Sequence, residues 1–206
     1  MNIKIAYQIH TPRLCLRCWQ PQDATLLKEA VDASLDHLRP WMPWAEYEPE
    51  PVSAKVDHLR KFRGQFDLDQ QYVYGIFNHE ETRVLGSSGL HKRADSSVLE
   101  IGYWIHAAWI NRGYATETAA ALTKVAFLLH HIRRVEIHCD ANNVRSAAVP
   151  KKLGYNLDAV LRRRTLSGSE EERDTMIWSL LADEFPGSPS EALKINAYDA
   201  AGEKII

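Results

Sequence analysis

Residues 100–117 read Glu100-Ile101-Gly102-Tyr103-Trp104-Ile105-His106-Ala107-Ala108-Trp109-Ile110-Asn111-Arg112-Gly113-Tyr114-Ala115-Thr116-Glu117. A strand-forming stretch enters a short loop carrying Gly113, and a helix opens at once. Backbone N–H groups in the first turn of a helix have no partner within it and lie at the positive end of its dipole, so they can hold a diphosphate. Gly113 lets the backbone approach such a group closely, and the small Ala115 keeps the entry open. Arg112, Tyr114 and Thr116 complete the loop. A glycine-bearing joint of this kind also serves plain strand-to-helix packing, and the residues alone leave both readings open.

Other residue types with chemical potential fall at less telling spacings. Cys15-Leu16-Arg17-Cys18 has the form of a metal or redox pair, but it lies in residues 13–19, which read as a strand. Side chains three apart on a strand point to opposite faces, so the two sulfurs diverge. No second such pair completes a zinc site, and three cysteines (Cys139 is the third) make no disulfide framework. Reduced, partly buried thiols and no metal are expected. His91, His106 and His138 sit on strand positions without ligand spacing. Arg162-Arg163-Arg164 faces Glu170-Glu171-Glu172 across a turn, where internal charge pairing is the better reading.

The elements that must hold these residues follow from periodicity. Residues 13–19 form a first strand, and a helix starts at Pro21-Gln22-Asp23 with Asp23 as its cap and Ala24, Leu27, Ala30, Val31 and Leu35 on one face. Prolines 40 and 43 make residues 38–44 an apolar loop. A second helix, capped by Ser53, spans 53–67. Strands at 72–77, 83–91 and 98–106 follow, then a helix over 115–131 with Ala119, Leu122, Ala126 and Leu129 as its stripe. Partial negative charge at its end favours His130 and His131. A strand at 134–140 and a helix over 144–153 ending at Gly154 come next, then strands 157–166 and 174–181 joined around Ser167-Gly168-Ser169. This order specifies an α/β (α+β) domain: a mixed central sheet of about seven strands with helices on both faces, and a parallel crossover across 98–140. Residues 1–185 make one domain, and 186–206 are a tail without an assigned structure.

With 45% hydrophobic and 25% charged residues among 206, the chain is of ordinary globular type. A formal net charge of -2 gives no general basic field for nucleic acid. The opening residues lack a signal-peptide pattern, and residues 118–132, the richest apolar stretch, are interrupted and too short to span a bilayer. A cytoplasmic chain with no membrane partner is therefore expected.

The loop described first is similar to the acetyl-CoA motif of the GNAT acetyltransferases, Q/R-x-x-G-x-G/A, with Gly113 and Ala115 matching and Ile110 departing at the first position. Asn143-Val144-Arg145-Ser146 with Lys152-Leu153-Gly154-Tyr155 resembles the N-x-x-S…K-L-G-F/Y block of the same family. Thr11-Pro12-Arg13-Leu14, Leu38-Arg39-Pro40-Trp41-Met42-Pro43-Trp44 and Glu100-Ile101-Gly102-Tyr103-Trp104-Ile105 are most like the RimJ/RimL-type ribosomal-protein N-alpha-acetyltransferases. The likeness covers roughly residues 10–182.

The resemblance implies a GNAT fold, acetyl-CoA as co-substrate and a primary amine as acceptor, first of all a protein N-terminal α-amine. The alternatives are a polyamine, amino acid or aminoglycoside acceptor, or a module that binds acetyl-CoA without catalysis. It implies that Glu100 is the general base, directly or through a water, or else a solvated strand carboxylate. The strand at 98–106 would splay from 134–140 and leave main-chain groups around Trp104, Ile105 and His106 free for the pantetheine arm. Ser146, by its match to N-x-x-S, would be a hydrogen-bond donor or relay near the leaving sulfur, or else a simple helix residue; Pro150 stands where many relatives carry a tyrosine and has no proton to give. Asn143 would contact the pantetheine or cap its helix. Arg112 and Lys151 would pair with CoA phosphates or remain solvated. Trp41, Met42 and Trp44 would line the acceptor pocket or pack the second helix. The assembly is read as a monomer or homodimer.

Overall fold

In the computed structural model, which describes residues 4–166 and 171–206, every strand joins one nine-stranded sheet. The chain runs β1 (Gln8–His10), β2 (Cys15–Cys18), α1 (Ala24–Asp32), α2 (Leu35–Leu38), α3 (Val52–Asp67), β3 (Gln71–Phe77), β4 (Val84–Lys92) and β5 (Val98–Ile105). It continues with α4 (Tyr114–His130), β6 (Arg134–Asp140), α5 (Val144–Lys152), β7 (Asn156–Leu166), β8 (Glu172–Leu181), α6 (Pro189–Ala192) and β9 (Asn196–Tyr198). The sheet order is β7-β8-β6-β5-β4-β3-β2-β1-β9, antiparallel except where β5 lies parallel to β6 across the α4 crossover.

Alternation along the strands sends side chains to two cores. Leu14, Leu16, Tyr74, Ile76, Leu90 and Ile101 meet α4 on one face. Cys15, Trp19 and Phe77 meet α1 and Leu59 of α3 on the other. The sheet thus carries helices on both faces, as the element order requires. Cys15 and Cys18 fall in different cores, so their thiols point apart, and burial raises the pKa of both.

The seven strands read from periodicity are present, and β1 and β9 are additions too short to show alternation. The residues left without assigned structure form α6 and β9, and Lys124 Nζ donates to the carbonyls of Glu191 (2.8 Å) and Leu193 (3.0 Å). This cover over α4 is why burial extends well past the predicted stripe, to Ala120, Ala121 and Val125 among others.

Local expectations differ at four places. Asp23 does not cap α1: its carboxylate holds Arg17 (2.7 and 2.8 Å) and the Gln20 N–H (2.9 Å). The first helix breaks before Leu35, because Ser34 Oγ donates back to the Ala30 carbonyl at 2.7 Å and accepts from Ala107 N–H at 3.0 Å. The second helix opens at Val52 with Pro51 as N-cap, and no side chain of Ser53 caps it. His130 is buried, with Nε2 unpartnered, and desolvation lowers its pKa to about 4, overriding the helix dipole. The turn Ser167-Gly168-Ser169 and Glu170 lie outside the described residues, while Arg163 pairs with Glu172 at 3.2 Å.

Candidate active site

The parallel ladder between β5 and β6 is short. Val98, Leu99 and Glu100 pair with Arg134, Val135 and Glu136, and there pairing stops. β5 nevertheless runs on to Ile105 beside β4, and β6 to Asp140 beside β8, so the two strands open like a wedge. His106 N–H donates to Leu85 O at 2.8 Å. Main-chain groups alternate direction along a strand, so those of His106 and Trp104 face β4, and those of Ile105 and Tyr103 face the opening. A Cβ on Gly86 would meet the Trp104 carbonyl at 2.1 Å, which fits that direction and explains the glycine. Backbone donors and acceptors without a strand partner must find another, and here they line a cleft.

At the far end of β5 the chain passes a short 3₁₀ turn (Ala107–Trp109) and reaches α4 through Gly113, whose φ of +80° is the left-handed conformation glycine adopts without strain. Gly113 and Arg112 are exposed and Tyr114, Ala115 and Thr116 half-buried, so the first-turn amides open to solvent. The loop is braced from behind. Glu117, buried in that first turn, accepts from Thr11 Oγ1 (2.6 Å), Arg13 N–H (3.0 Å) and Arg13 Nε (2.5 Å). Arg13 in turn donates to the Arg112 carbonyl at 2.8 Å and lies 4.9 Å from the Tyr114 ring. Arg112 itself stacks on Trp109 at 4.7 Å, and Lys151 is exposed in the last turn of α5.

A cavity of about 850 Å³ opens at the wedge, bordered by Tyr103, Trp104, Asn143 and Ser146. Ser146 Oγ lies 3.1 Å from the Tyr103 hydroxyl, which also meets the Ser146 carbonyl at 3.2 Å. Burial pushes the Tyr103 phenol well up, so it stays protonated, and burial likewise raises Cys139 beside it. Asn143 caps α5, its side chain accepting from Ser146 N–H at 3.1 Å. Pro150, three positions before α5 gives way to Leu153, is buried.

On the face of β5 that also carries Gly102 and Trp104, Glu100 adjoins the cavity wall, to which its neighbours His91, Gly102 and His138 contribute. Its Oε2 accepts from Arg93 Nε at 2.7 Å and faces His138 Nδ1 at 3.3 Å, and His138 Nε2 meets Glu136 Oε2 at 2.8 Å. His91 pairs directly with Glu100 across the ladder. Its ring fills space left by two glycines: a Cβ would come 2.9 Å from Nε2 at Gly89 and 3.4 Å at Gly102. Burial, with Arg93 adding to it, lowers the His91 pKa, so the ring is neutral at pH 7. Residue spacing alone does not show that His91 and His138 flank Glu100; only strand register brings them there.

Trp41, Met42 and Trp44 border the same cavity. Trp44 lies 6.2 Å from Trp104 between ring centroids, and Trp41 has the Arg173 guanidinium 5.8 Å from its ring. The segment is pinned in place: Arg173 binds the Pro40 carbonyl (2.5 Å) and Asp140 (3.1 Å), and Arg39 binds the Glu48 carbonyl (3.0 Å).

Such an arrangement can hold a diphosphate at α4, an extended arm along the open edge of β5 and a nucleophile beside Glu100. Residues 13–156 match the acetyltransferase (GNAT) domain family. The N-acetyltransferase YdaF of Bacillus subtilis is 28% identical over 181 residues, spanning 84% of this chain and 94% of that protein. Two solved structures share the fold. RimJ of Mycobacterium smegmatis in complex with CoA-disulfide has a TM-score of 0.78 at 21% identity, over 90% of this chain and 91% of its own. RimL, a ribosomal L7/L12 alpha-N-protein acetyltransferase in complex with coenzyme A, has 0.76 at 18%, over 89% and 99%.

Proposed function

The chain belongs to the GNAT acetyltransferase family, and from that premise we propose that the amine it acetylates is the α-amine of a protein N-terminus. It is an N-acetyltransferase with acetyl-CoA as acetyl donor. The observation that carries the acceptor reading is the cavity itself, whose acidic groups are already paired: Glu48 and Glu50 with Lys55, and Asp140 with Arg173. A polyamine or aminoglycoside needs a cleft of free carboxylates, and this wall offers little for it. RimL, which shares the fold and is an alpha-N-protein acetyltransferase, supports the same direction.

Chemistry favours the α-amine as well. At pKa ~8 about a tenth of it is neutral at pH 7, a deficit of roughly 1 kcal/mol, whereas a lysine at ~10.4 faces roughly 4–5 kcal/mol. The amides of Gly113, Tyr114, Ala115 and Thr116 hold the CoA diphosphate, and Arg112 and Lys151 add charge at its rim. Free main-chain groups of Tyr103 and Ile105 bind the pantetheine arm, and one N–H polarises the thioester oxygen. Glu100 takes the amine proton through a water or through His138, with Arg93 holding its carboxylate in place. The amine nitrogen bonds to the thioester carbon, the C–S bond breaks with its electron pair going to sulfur, and Ser146 Oγ–H donates a hydrogen bond to that sulfur. Tyr103, whose hydroxyl donates to the Ser146 carbonyl and lies 3.1 Å from Ser146 Oγ, fixes where that serine stands beside the sulfur.

An acceptor screen by mass spectrometry tests the reading, spanning ribosomal N-terminal peptides, free amino acids, polyamines and aminoglycosides. Peptides should be acetylated at the α-amine with the highest kcat/KM. Faster turnover of spermidine or an aminoglycoside overturns the assignment.

A further inference from the structure

The acceptor side of the cavity is unusual in how much aromatic and aliphatic surface it leaves open. Trp44 is 38% exposed, Tyr47 81% and Leu166 57%, and all three border this one cavity. Exposed apolar side chains gathered around a concave site mark what binds there, since water contact is costly and a ligand relieves it. Trp41, Met42 and Trp104 continue the same surface.

Charge in this wall is directed inward. The buried Lys55 ammonium is held by Glu48 and by Glu50, the latter at 3.1 Å. Arg173 is occupied by Asp140 and the Pro40 carbonyl, and Arg39 by the Glu48 carbonyl. What remains for an acceptor is a rim of rings with the exposed Lys61 at its edge and, at the wedge, His91 and His138 with Glu100 adjoining them. A ligand matched to it has an amine at one end and a large apolar body at the other.

We infer that the acceptor amine is carried by a large apolar group: on a protein N-terminus, the first residue is methionine, leucine or phenylalanine rather than a small or basic one. This rests on the reading of the cavity as the acceptor site and of a protein N-terminus as acceptor. A small first residue leaves Trp41, Trp44 and Tyr47 wet, and a basic one meets no free carboxylate, since Glu48, Glu50 and Asp140 are paired. A few methylenes in an apolar pocket are enough to discriminate by an order of magnitude or more.

The experiment measures kcat/KM for peptides identical except at residue 1 (Met, Leu, Phe, Ala, Ser, Asp), together with phenethylamine and spermidine. Met, Leu and Phe peptides should exceed Ala and Ser by at least ~10-fold. Trp44→Ala should narrow that gap to about three-fold or less, and Trp44→Phe should restore most of it. Peptides accepted with Ala or Ser equal or preferred overturn this inference and leave the N-terminal reading intact. Phenethylamine accepted while every peptide fails overturns the N-terminal reading and supports the apolar group. Spermidine as the best acceptor overturns both.

Discussion

Tyr103 and Ser146 come from a strand and a helix 43 residues apart, and their hydroxyls meet at 3.1 Å where the wedge between β5 and β6 opens. Tyr103 positions Ser146, so Tyr103→Phe, which removes one neutral hydrogen bond worth about 1 kcal/mol, should cost about five-fold in kcat. The KM for acetyl-CoA should stay within about two-fold. Ser146→Ala should cost at least as much, and the double variant no more than Ser146→Ala alone. Steady-state kinetics of the three decides it: additive losses, or an unchanged kcat with a lowered Tm, leave Tyr103 a packing residue only. Glu100→Gln should lower kcat with little change in acetyl-CoA affinity, and unchanged turnover removes Glu100 from the chemistry. Glu100, Ser146 and Gly113 can be named as candidates from the sequence because motifs place them. Tyr103, His91 and His138 were not, because what unites them is register: His91 opposite Glu100, Glu100 opposite Glu136, and glycines 89 and 102 making room for an imidazole.

α4 joins two events at its two ends. At its start, Gly113 holds φ +80° with Arg13 Nη2 only 3.4 Å from where a Cβ would sit. Gly113→Val forces a β-branched residue into a left-handed conformation costing at least ~1–2 kcal/mol, and the loop should shift to escape it. Calorimetry should then record acetyl-CoA binding weakened about ten-fold or more, and an unaltered Kd contradicts the diphosphate site. At its end, His130 is buried beside Tyr72 and its pKa falls to about 4. The ordinary value in an unfolded chain is ~6.5, so the unfolded state takes up the proton first as pH drops. Stability from this group is complete above pH ~6.5 and is lost on acidification toward pH 4. Denaturant unfolding should show the native chain losing roughly 2–3 kcal/mol more than His130→Phe between pH 7.5 and 4.5; parallel losses in both refute the assignment. The sequence marked this helix to within a residue at each end because its apolar period is long. It did not reveal that a covering segment buries the outer face, and hence that His130 is dry rather than solvated at a helix terminus.

The sheet ties the last twenty residues to the body of the molecule. β9 pairs with β1 through Gln8–Tyr198, Ile9–Ala197 and His10–Asn196, and Ala197, fully buried, accepts from Ile205 N–H at 2.8 Å. Leu193, Ile195, Ile205 and Ile206 pack against the α4 core. Such a segment was illegible as structure because a three-residue strand has no period to read and the residues around it show only weak periodicity. We propose that it belongs to the folded domain and is not a detachable tail. Half-burial of four aliphatic side chains amounts to several kcal/mol, and at 2–4 °C per kcal/mol a chain ending at residue 185 should melt on the order of 10 °C lower. It also uncovers the edge of β1, so the shortened chain should aggregate at concentrations the full chain tolerates. β9 stands five strand spacings from β5, about 24 Å. Well below its Tm the shortened chain should therefore bind acetyl-CoA within about three-fold of the full chain. Should truncation prevent folding, Ala197→Arg tests the same point by placing a charge in that buried position. A Tm unchanged in both variants would mean that the segment rests on the surface without holding the sheet together.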